Sequence, residues 1–215
     1  MADSDLKDVM EEVFLRPLSP DEDSGSLVLI YGPPVARKTE FSLRIAFEAA
    51  GRGAISHYFD INLSLTPYMF VSLTEKEREV PLRVYRPRSL REVEKVLEFL
   101  SFKPQTSFPQ AIMLNSLMIL RRTAAVRDFQ GDPLYLFSLL KKFSLSPRKL
   151  AVVVVESNVQ RPPSLSLFGA IGSLIDLAVR IDPPRDKSTS LTFYHTPFEA
   201  PTRSFRVRNV SFSFT

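Results

Sequence analysis

The segment LAVVVVES, residues 150–157, contains six consecutive apolar residues, four of them valine. A strand that is apolar on both faces must be covered on both faces, which is typical of parallel sheets flanked by helices. Similar apolar segments recur along the chain and alternate with segments of helical periodicity. The predicted strands are 27–31, 54–62, 82–87, 108–117, 150–157, 177–181, 191–196 and 205–214, and the predicted helices between them are 39–50, 89–100 and 133–143. This order predicts an α/β fold with a mainly parallel sheet, extended by antiparallel C-terminal strands.

The first 25 residues differ in composition from the rest of the chain. Residues 1–23 carry eight acidic and two basic side chains, a net charge of −6, whereas the remainder has a net charge of +10. Apolar residues recur there at helical spacing, and a turn-rich acidic linker follows. The apolar residues at helical spacing are Leu6, Val9, Met10, Val13 and Phe14. We therefore divide the chain into an N-terminal acidic helix and linker, 1–25, and one core domain, 26–215. The apolar stripe of the helix either packs against its own domain or docks on a partner.

Composition narrows the class of protein. The chain has 215 residues, of which 44% are hydrophobic, and this suits one globular domain with a sizeable core. It has no cysteine and only two histidines, which excludes disulfides and argues against a structural zinc site. No segment reaches the roughly 18 apolar residues that span a bilayer, and the acidic start argues against a targeting peptide. We expect a cytoplasmic protein without a membrane partner. The 17 prolines and the lack of cysteine are typical of proteins from thermophiles.

The segment YGPPVARKTE, residues 31–40, places a strand, a loop and the start of a helix in the order of a phosphate-binding loop. In the common pattern, G-x-x-x-x-G-K-[ST], backbone amides and a helix N-terminus face the phosphates. Here the spacing of Gly32, Lys38 and Thr39 is kept, but Arg37 stands where the second glycine is expected. Pro33 and Pro34 also lack N–H donors. The pattern predicts a degenerate phosphate site at these residues, and an ordinary helix start is the alternative.

The chain resembles the core of the RecA/RadA-type recombinases. The resemblance covers about residues 26–210 and depends on the order and spacing of altered segments. They are YGPPVARKTE, AISHYFDIN, LRVYRPRSLREVEKVL, AIMLNSL, LAVVVVES, LFGAIGSLIDLAVRID and YHTPFEAPTRSFRV. The resemblance is greatest to the short archaeal RadA paralogs of the RadB type. It implies a single RecA-like P-loop domain over residues 26–215.

The resemblance also implies that the catalytic groups of the family are missing here. The position of the glutamate that polarises the attacking water is Asn62, and the position of the aspartate that assists Mg²⁺ is Asn115. The strand that normally ends in a γ-phosphate sensor ends in Glu156. An amide takes no proton and contributes no charge to a metal, so these changes together predict a protein without ATPase activity. No cofactor is expected, although binding of ATP and Mg²⁺ without hydrolysis stays open. The alternative is that these side chains are ordinary polar strand ends.

Basic residues cluster in loops that, in the resembled family, line the DNA path. Arginine neutralises phosphates, and an aromatic ring offers a base a stacking surface. The candidate DNA-binding residues are Arg121, Arg122, Arg127, Phe129 and Arg161. A second candidate basic patch is formed by Arg203, Arg206 and Arg208, which alternate with apolar residues and are predicted to share one strand face. A solvated, charged surface is the alternative for each group.

Three hypotheses for function follow. The first is a catalytically inactive RadA-paralog-like protein of homologous recombination and DNA repair, which binds DNA, with single-stranded DNA favoured, or a RadA-type recombinase or another paralog. The second is an active or weak DNA-dependent ATPase of the RecA/RadB type. The third is a protein-interaction subunit without affinity for DNA.

Overall fold

The structure, a computed structural model, describes residues 6–65, 81–102, 108–117, 132–157, 169–185, 188–195 and 203–208. For 169–170 and 205–208 only the backbone is considered. The helices are α1 (Leu6–Val9), α2 (Lys38–Gly51), α3 (Leu90–Phe102), α4 (Pro133–Ser144) and α5 (Gly169–Gly172). A π-helical segment, Met10–Leu15, and a 3-10 turn, Arg16–Leu18, continue α1. In the part of the chain described, no helix is long and apolar enough to cross a membrane.

The strands form one sheet whose order places four strand ends side by side. They are β1 (Ser26–Gly32), β2 (Ile55–Asp60), β3 (Leu82–Tyr85), β4 (Gln110–Asn115), β5 (Lys149–Glu156), β6 (Leu177–Ile181), β7 (Ser188–His195) and β8 (Arg203–Arg208). Their order in the sheet is β3-β2-β4-β5-β1-β6-β7-β8. Strands β1 to β6 pair in parallel, whereas β7 and β8 pair antiparallel. The predicted mainly parallel sheet with an antiparallel C-terminal extension is confirmed, and the bounds of its elements mostly shift by no more than three residues.

Local sequence signals account for the helix starts on one face of the sheet. The Ser89 hydroxyl accepts a hydrogen bond from the amide of Glu92, 3.3 Å away, just before α3. The carboxylate of Asp132 accepts the amide of Leu134 at 2.9 Å, and Pro133 occupies the first helical position of α4. These contacts satisfy amides that lack partners within the helix. The two helices then pack on the sheet through Leu90, Val93, Leu97, Leu136 and Leu140.

The N-terminal segment packs against its own domain. Leu6, Val9, Met10 and Phe14 are buried in the hydrophobic cluster that covers the other face of the sheet, together with α2. The ring of Phe14 meets that of Phe41 edge-on, with centroids 5.3 Å apart. Each such buried side chain contributes roughly 1.5–3 kcal/mol through removal of apolar surface from water. Of the two interpretations of the apolar stripe, packing within the domain is the one observed.

A candidate phosphate site at the carboxyl ends of the strands

The loops that follow β1, β2, β4 and β5 meet at one edge of the sheet. The register pairs Gly32 with Glu156, and Asp60 with Asn115, so these strand ends are neighbours. A cavity of about 240 Å³ opens there. Its lining is Pro34, Val35, Arg37, Lys38, Thr39, Glu40, Asn62, Asn115, Ser116, Val154 and Glu156. Six of these lining residues were expected, from the sequence and the resemblance, at a degenerate nucleotide site. They are Arg37, Lys38, Thr39, Asn62, Asn115 and Glu156.

Arg37 adopts the left-handed backbone conformation that glycine favours. As the N-cap residue of α2 it has φ 53° and ψ 29°, and its side chain makes no capping hydrogen bond. A residue with a Cβ incurs roughly 1–2 kcal/mol of strain in this region. The Arg37 guanidinium lies 3.6 Å from the carboxylate of Glu40. An arginine at this position therefore brings strain and charge to the loop that leads into α2.

Gly32 has a packing role at the start of the loop. A Cβ at this position would lie 2.2 Å from the carbonyl oxygen of Ile181, well inside a normal contact distance. The close approach of β1 to the end of β6 therefore requires a residue without a side chain. Gly32 does not belong to the cavity lining described above, so its place in the predicted phosphate site reflects the shape of the turn.

Lys38 is folded back onto the loop. Its side chain is 7% exposed, and its Nζ donates a hydrogen bond to the carbonyl oxygen of Pro33 at 2.5 Å. Burial disfavours the charged amine and lowers its pKa to about 8, although the nearby carboxylates of Glu156 and Glu40 act in the opposite direction. To contact a phosphate, the amine must leave the Pro33 carbonyl.

Asn115 is the centre of a hydrogen-bond network at the base of the cavity. Its side chain is 1% exposed, and its Nδ2 donates to Ser64 Oγ at 3.0 Å and to Thr39 Oγ1 at 3.3 Å. Ser64 Oγ in turn donates to the buried carboxylate of Asp60 at 3.2 Å. Asn115 Oδ1 is buried and has no hydrogen-bond partner among the described residues. The network links the ends of β2 and β4 to the start of α2.

Asp60 holds the turn that supplies Ser64 to this network. Its carboxylate accepts hydrogen bonds from the amides of Ser64, at 2.8 Å, and Leu65, at 3.3 Å. Arg86 Nε lies 3.4 Å from the same carboxylate. No sequence pattern predicted a role for Ser64 in this network. The spacing of Asp60 and Ser64 around a tight turn was the available signal, since aspartate commonly accepts backbone amides a few residues on.

Asn62 lies at the rim of the same cavity. Its Nδ2 donates to the Ser116 hydroxyl at 2.5 Å, and the residue is exposed. The ionisable residues that line the cavity are Arg37, Lys38, Glu40 and Glu156, two of each sign. Among the described residues there is no group of three or more His, Cys, Asp or Glu side chains able to hold a metal ion.

The predicted DNA-binding residues Arg121, Arg122, Arg127, Phe129 and Arg161 lie outside the described residues. Arg203 does lie in the described part, and its guanidinium forms an ion pair with Glu12 of the N-terminal segment. Arg203 pairs with Phe193 across the sheet, whereas Arg206 and Arg208 pair with Ser190 and Ser188. The prediction that these three arginines form one basic patch stays a prediction.

The architecture matches solved structures at low sequence identity. The crystal structure of the RadB recombinase has a TM-score of 0.61, with 15% identity, and the match covers 86% of this chain and 88% of that one. The fold is RecA-like. A second structure, an ATPase domain, has a TM-score of 0.59 with 11% identity and covers 95% of both chains. No protein-family model and no curated protein matches the chain by sequence. The resemblance inferred from the motifs is confirmed at the level of the RecA-like core.

Proposed function

We propose that this chain is a RecA-fold protein without ATPase activity that acts in DNA recombination and repair. It binds DNA, preferentially single-stranded DNA, or a recombinase partner. The observation that most supports the loss of activity is the buried amide of Asn115, which donates to Thr39 and Ser64 at the place where catalysis needs a carboxylate. An amide neither holds a divalent cation by charge nor takes a proton from water.

Two further contacts support the proposal. Asn62 directs its amide to Ser116, so the rim of the cavity offers an amide where an attacking water would need a base. Lys38 donates to the Pro33 carbonyl oxygen, so its amine has to leave this contact before it can bind a triphosphate. Hydrolysis needs both an aligned water and neutralised phosphates. Asn62 concerns the first requirement, and Lys38 concerns the second.

The DNA-binding part of the proposal follows from charge. The chain outside residues 1–23 has a net charge of +10, and arginines with an interspersed phenylalanine occupy the segment 118–131. Electrostatic attachment to phosphates, with stacking of bases on an aromatic ring, is the usual mode of single-strand binding without sequence preference. The recombinase similarity of the fold makes this chemistry the one to test first.

The test measures phosphate release from ATP, with and without single-stranded DNA, and DNA binding by fluorescence anisotropy at several salt concentrations. We expect no phosphate release above background, and binding that weakens as salt rises. Arg121→Ala with Arg122→Ala should weaken binding, whereas Arg91→Ala with Lys95→Ala, which removes the same charge from exposed positions of α3, should not.

The outcomes separate the alternatives. Phosphate release that disappears in Lys38→Ala would establish an ATPase, the second hypothesis, which retention of Lys38 and Thr39 in the cavity favours. Absence of DNA binding at low salt, combined with co-purification with a recombinase, would indicate a pure interaction subunit. Equal DNA binding by both double variants would remove the proposed DNA site.

A further inference from the structure

Exposed aromatic side chains form a continuous surface across α3 and α4. Phe99 and Phe102 of α3 are 61% and 62% exposed. Side-chain contacts join the two helices at this surface. Lys142 Nζ of α4 lies 3.3 Å from the centroid of the Phe102 ring, and Tyr135 Oη donates to the carboxylate of Glu98 at 2.7 Å. We call this region, from Tyr135 and Glu98 to Phe102 and Lys142, the α3/α4 surface.

The apolar part of the α3/α4 surface is large. Leu145 lies about one helical turn beyond Lys142, is 63% exposed and extends the surface at its end. A phenylalanine ring with this exposure leaves on the order of 100 Å² in contact with water, so the two rings and Leu145 together leave roughly 300 Å². Apolar patches of this size on soluble proteins commonly mark interaction sites. We therefore expect a partner to cover it.

The charges of the two helices are balanced, which narrows the kind of partner. Lys141 is paired with Asp176. The other charged side chains of α3 and α4 are three basic and three acidic ones, namely Arg91, Lys95, Lys142, Glu92, Glu94 and Glu98. The carboxylates repel a polyanion such as DNA, and a strongly acidic or basic protein would meet like charges here. A partner with the same mixture of signs fits this surface.

Four residues of α3 form a stripe that is complementary to itself. Arg91, Lys95, Glu98 and Phe102 follow the spacing i, i+4, i+7, i+11, so they lie along one side of the helix. The pair Lys95 and Glu98 and the pair Arg91 and Phe102 share one midpoint in the sequence. When a second α3 lies antiparallel about that midpoint, each Lys95 therefore faces a Glu98 of the other copy, and each Arg91 faces a Phe102.

Both cross-copy contacts are favourable. The first is an ion pair, and the second is a cation–π contact of the kind that Lys142 makes with Phe102 within the chain. One register satisfies all four residues of the stripe in both copies, as a two-fold interface requires.

We infer that the α3/α4 surface is a two-fold interface between two copies of this chain, in which the two α3 helices lie antiparallel. With 13 residues α3 is about 20 Å long, and two packed helices are about 20 Å wide. This area is at the small end of specific interfaces, so the dimer dissociates in the micromolar range. The inference goes beyond the proposed function and does not depend on DNA binding. DNA titrations at protein concentrations well below this range report on the monomer, so Arg91→Ala with Lys95→Ala keeps its value as their control.

Sedimentation of the full chain at concentrations from about 1 to about 200 μM tests the interface. We expect a fraction of dimer that rises with concentration. Lys95→Glu places a carboxylate against Glu98 at two symmetrical positions and should weaken the dimer at least about tenfold. Adding Glu98→Lys restores both ion pairs with their signs exchanged, and should return the dissociation constant to within about threefold of wild type. Lys7→Glu, the same change at an exposed position of α1 on the other face of the sheet, is the matched control and should have no effect.

Cysteine cross-linking tests the antiparallel register, since the chain contains no cysteine of its own. Positions 91 and 102 are about 16 Å apart along the helix. In the dimer, Arg91→Cys in one copy faces Phe102→Cys in the other, whereas two copies of the same variant hold their thiols far apart. A bismaleimide reagent that spans about 8 Å, close to the separation of packed helices, should therefore cross-link an equimolar mixture of the two variants but neither variant alone.

Each outcome decides for or against the inference. A wild-type chain that stays monomeric up to about 200 μM overturns it and leaves the α3/α4 surface to a different partner. A dimer that Lys95→Glu does not weaken, or that Lys95→Glu with Glu98→Lys does not restore, also overturns it, as does cross-linking of either cysteine variant with itself. The changed side chains lie at the surface, and far-UV circular dichroism checks that each variant is folded. Loss of DNA binding contradicts the proposed function alone, so the two failures are distinguishable.

Discussion

The side chain of Asn115 donates a hydrogen bond to Thr39, joining the end of β4 to the first turn of α2. This contact brings an uncharged amide to the base of the cavity. The same amide also reaches Ser64 and, through it, Asp60. The amide at this position therefore takes part in the packing of three strand-end loops, and replacing it by a charged group should disturb stability.

Replacing Asn115 by aspartate should destabilise the protein at neutral pH. The carboxylate would be buried beside Asp60 and could donate to neither Ser64 nor Thr39, at a cost of about 2–4 kcal/mol. Burial and the neighbouring acid raise the pKa of such a carboxyl in the folded state. The penalty should therefore shrink as the pH falls and the group becomes protonated. Urea unfolding of Asn115→Asp and wild type at pH 8 and pH 5.5 measures both effects.

The exposed residue Asn62 provides the control for this change. Asn62→Asp loses its contact with Ser116 but stays in solvent, so its cost should remain below about 1 kcal/mol. Equal stability of Asn115→Asp and wild type at pH 8 would show that the buried network contributes nothing measurable.

Gly32→Ala should destabilise the fold through a backbone clash. The added Cβ would meet the Ile181 carbonyl oxygen at 2.2 Å, and neither strand can move freely within the sheet. We expect a loss of about 2–3 kcal/mol, at the upper end of ordinary substitutions. Gly172→Ala is the matched control, because a Cβ there meets nothing within 4 Å. Chemical denaturation of the two variants should give clearly different midpoints, and similar midpoints would contradict the close approach of β1 and β6.

Arg37→Gly should stabilise the protein slightly. Glycine relieves the roughly 1–2 kcal/mol of left-handed strain but adds freedom to the unfolded chain worth roughly 0.4–1 kcal/mol. The weak pairing with Glu40 is also lost, so the net gain should be at most about 1 kcal/mol. Leu63, with φ 52° and an exposed side chain, tests the strain without a charge, and Leu63→Gly should shift stability in the same direction. Destabilisation by both variants would exclude strain at these positions.

His57 should make the protein less stable in mild acid. Burial, reinforced by the charges of Arg83 and Lys149, lowers its pKa from 6.5 to about 4. The unfolded chain takes up a proton near pH 6.5 while the folded state does not, so stability falls between pH 6.5 and pH 4. The contribution is up to about 3 kcal/mol, at 1.36 kcal/mol per pKa unit. His57→Phe, which keeps a ring beside Tyr85, should show a shallower decline, and parallel pH curves for the two proteins would rule out this contribution.

Periodicity alone predicted most of the architecture. The valine run of β5 and the apolar stripe of α3 are buried where expected, because a strand or helix with that pattern must be covered. The order of the segments also predicted the RecA-like core.

Five residues that the sequence placed in the candidate site line one cavity, but their contacts were not predicted. They are Arg37, Lys38, Thr39, Asn62 and Asn115. The left-handed conformation of Arg37 and the retraction of Lys38 to Pro33 were not predictable, since both depend on how the loop closes. The contact of Ser64 with Asn115 was not predicted either, because it forms only when the turn after β2 meets the end of β4.

The sequence by itself determined the alternation of buried strands and helices, and with it the edge of the sheet where loops after β1, β2, β4 and β5 converge. It also determined that the side chains at positions 62 and 115 are uncharged amides. Only the tertiary structure decided that the N-terminal stripe packs inside the domain and that the Asn115 amide binds the Thr39 hydroxyl. The physical reason is that hydrophobic patterning acts within one element, whereas hydrogen-bond donors and acceptors find their partners only after distant elements have packed together.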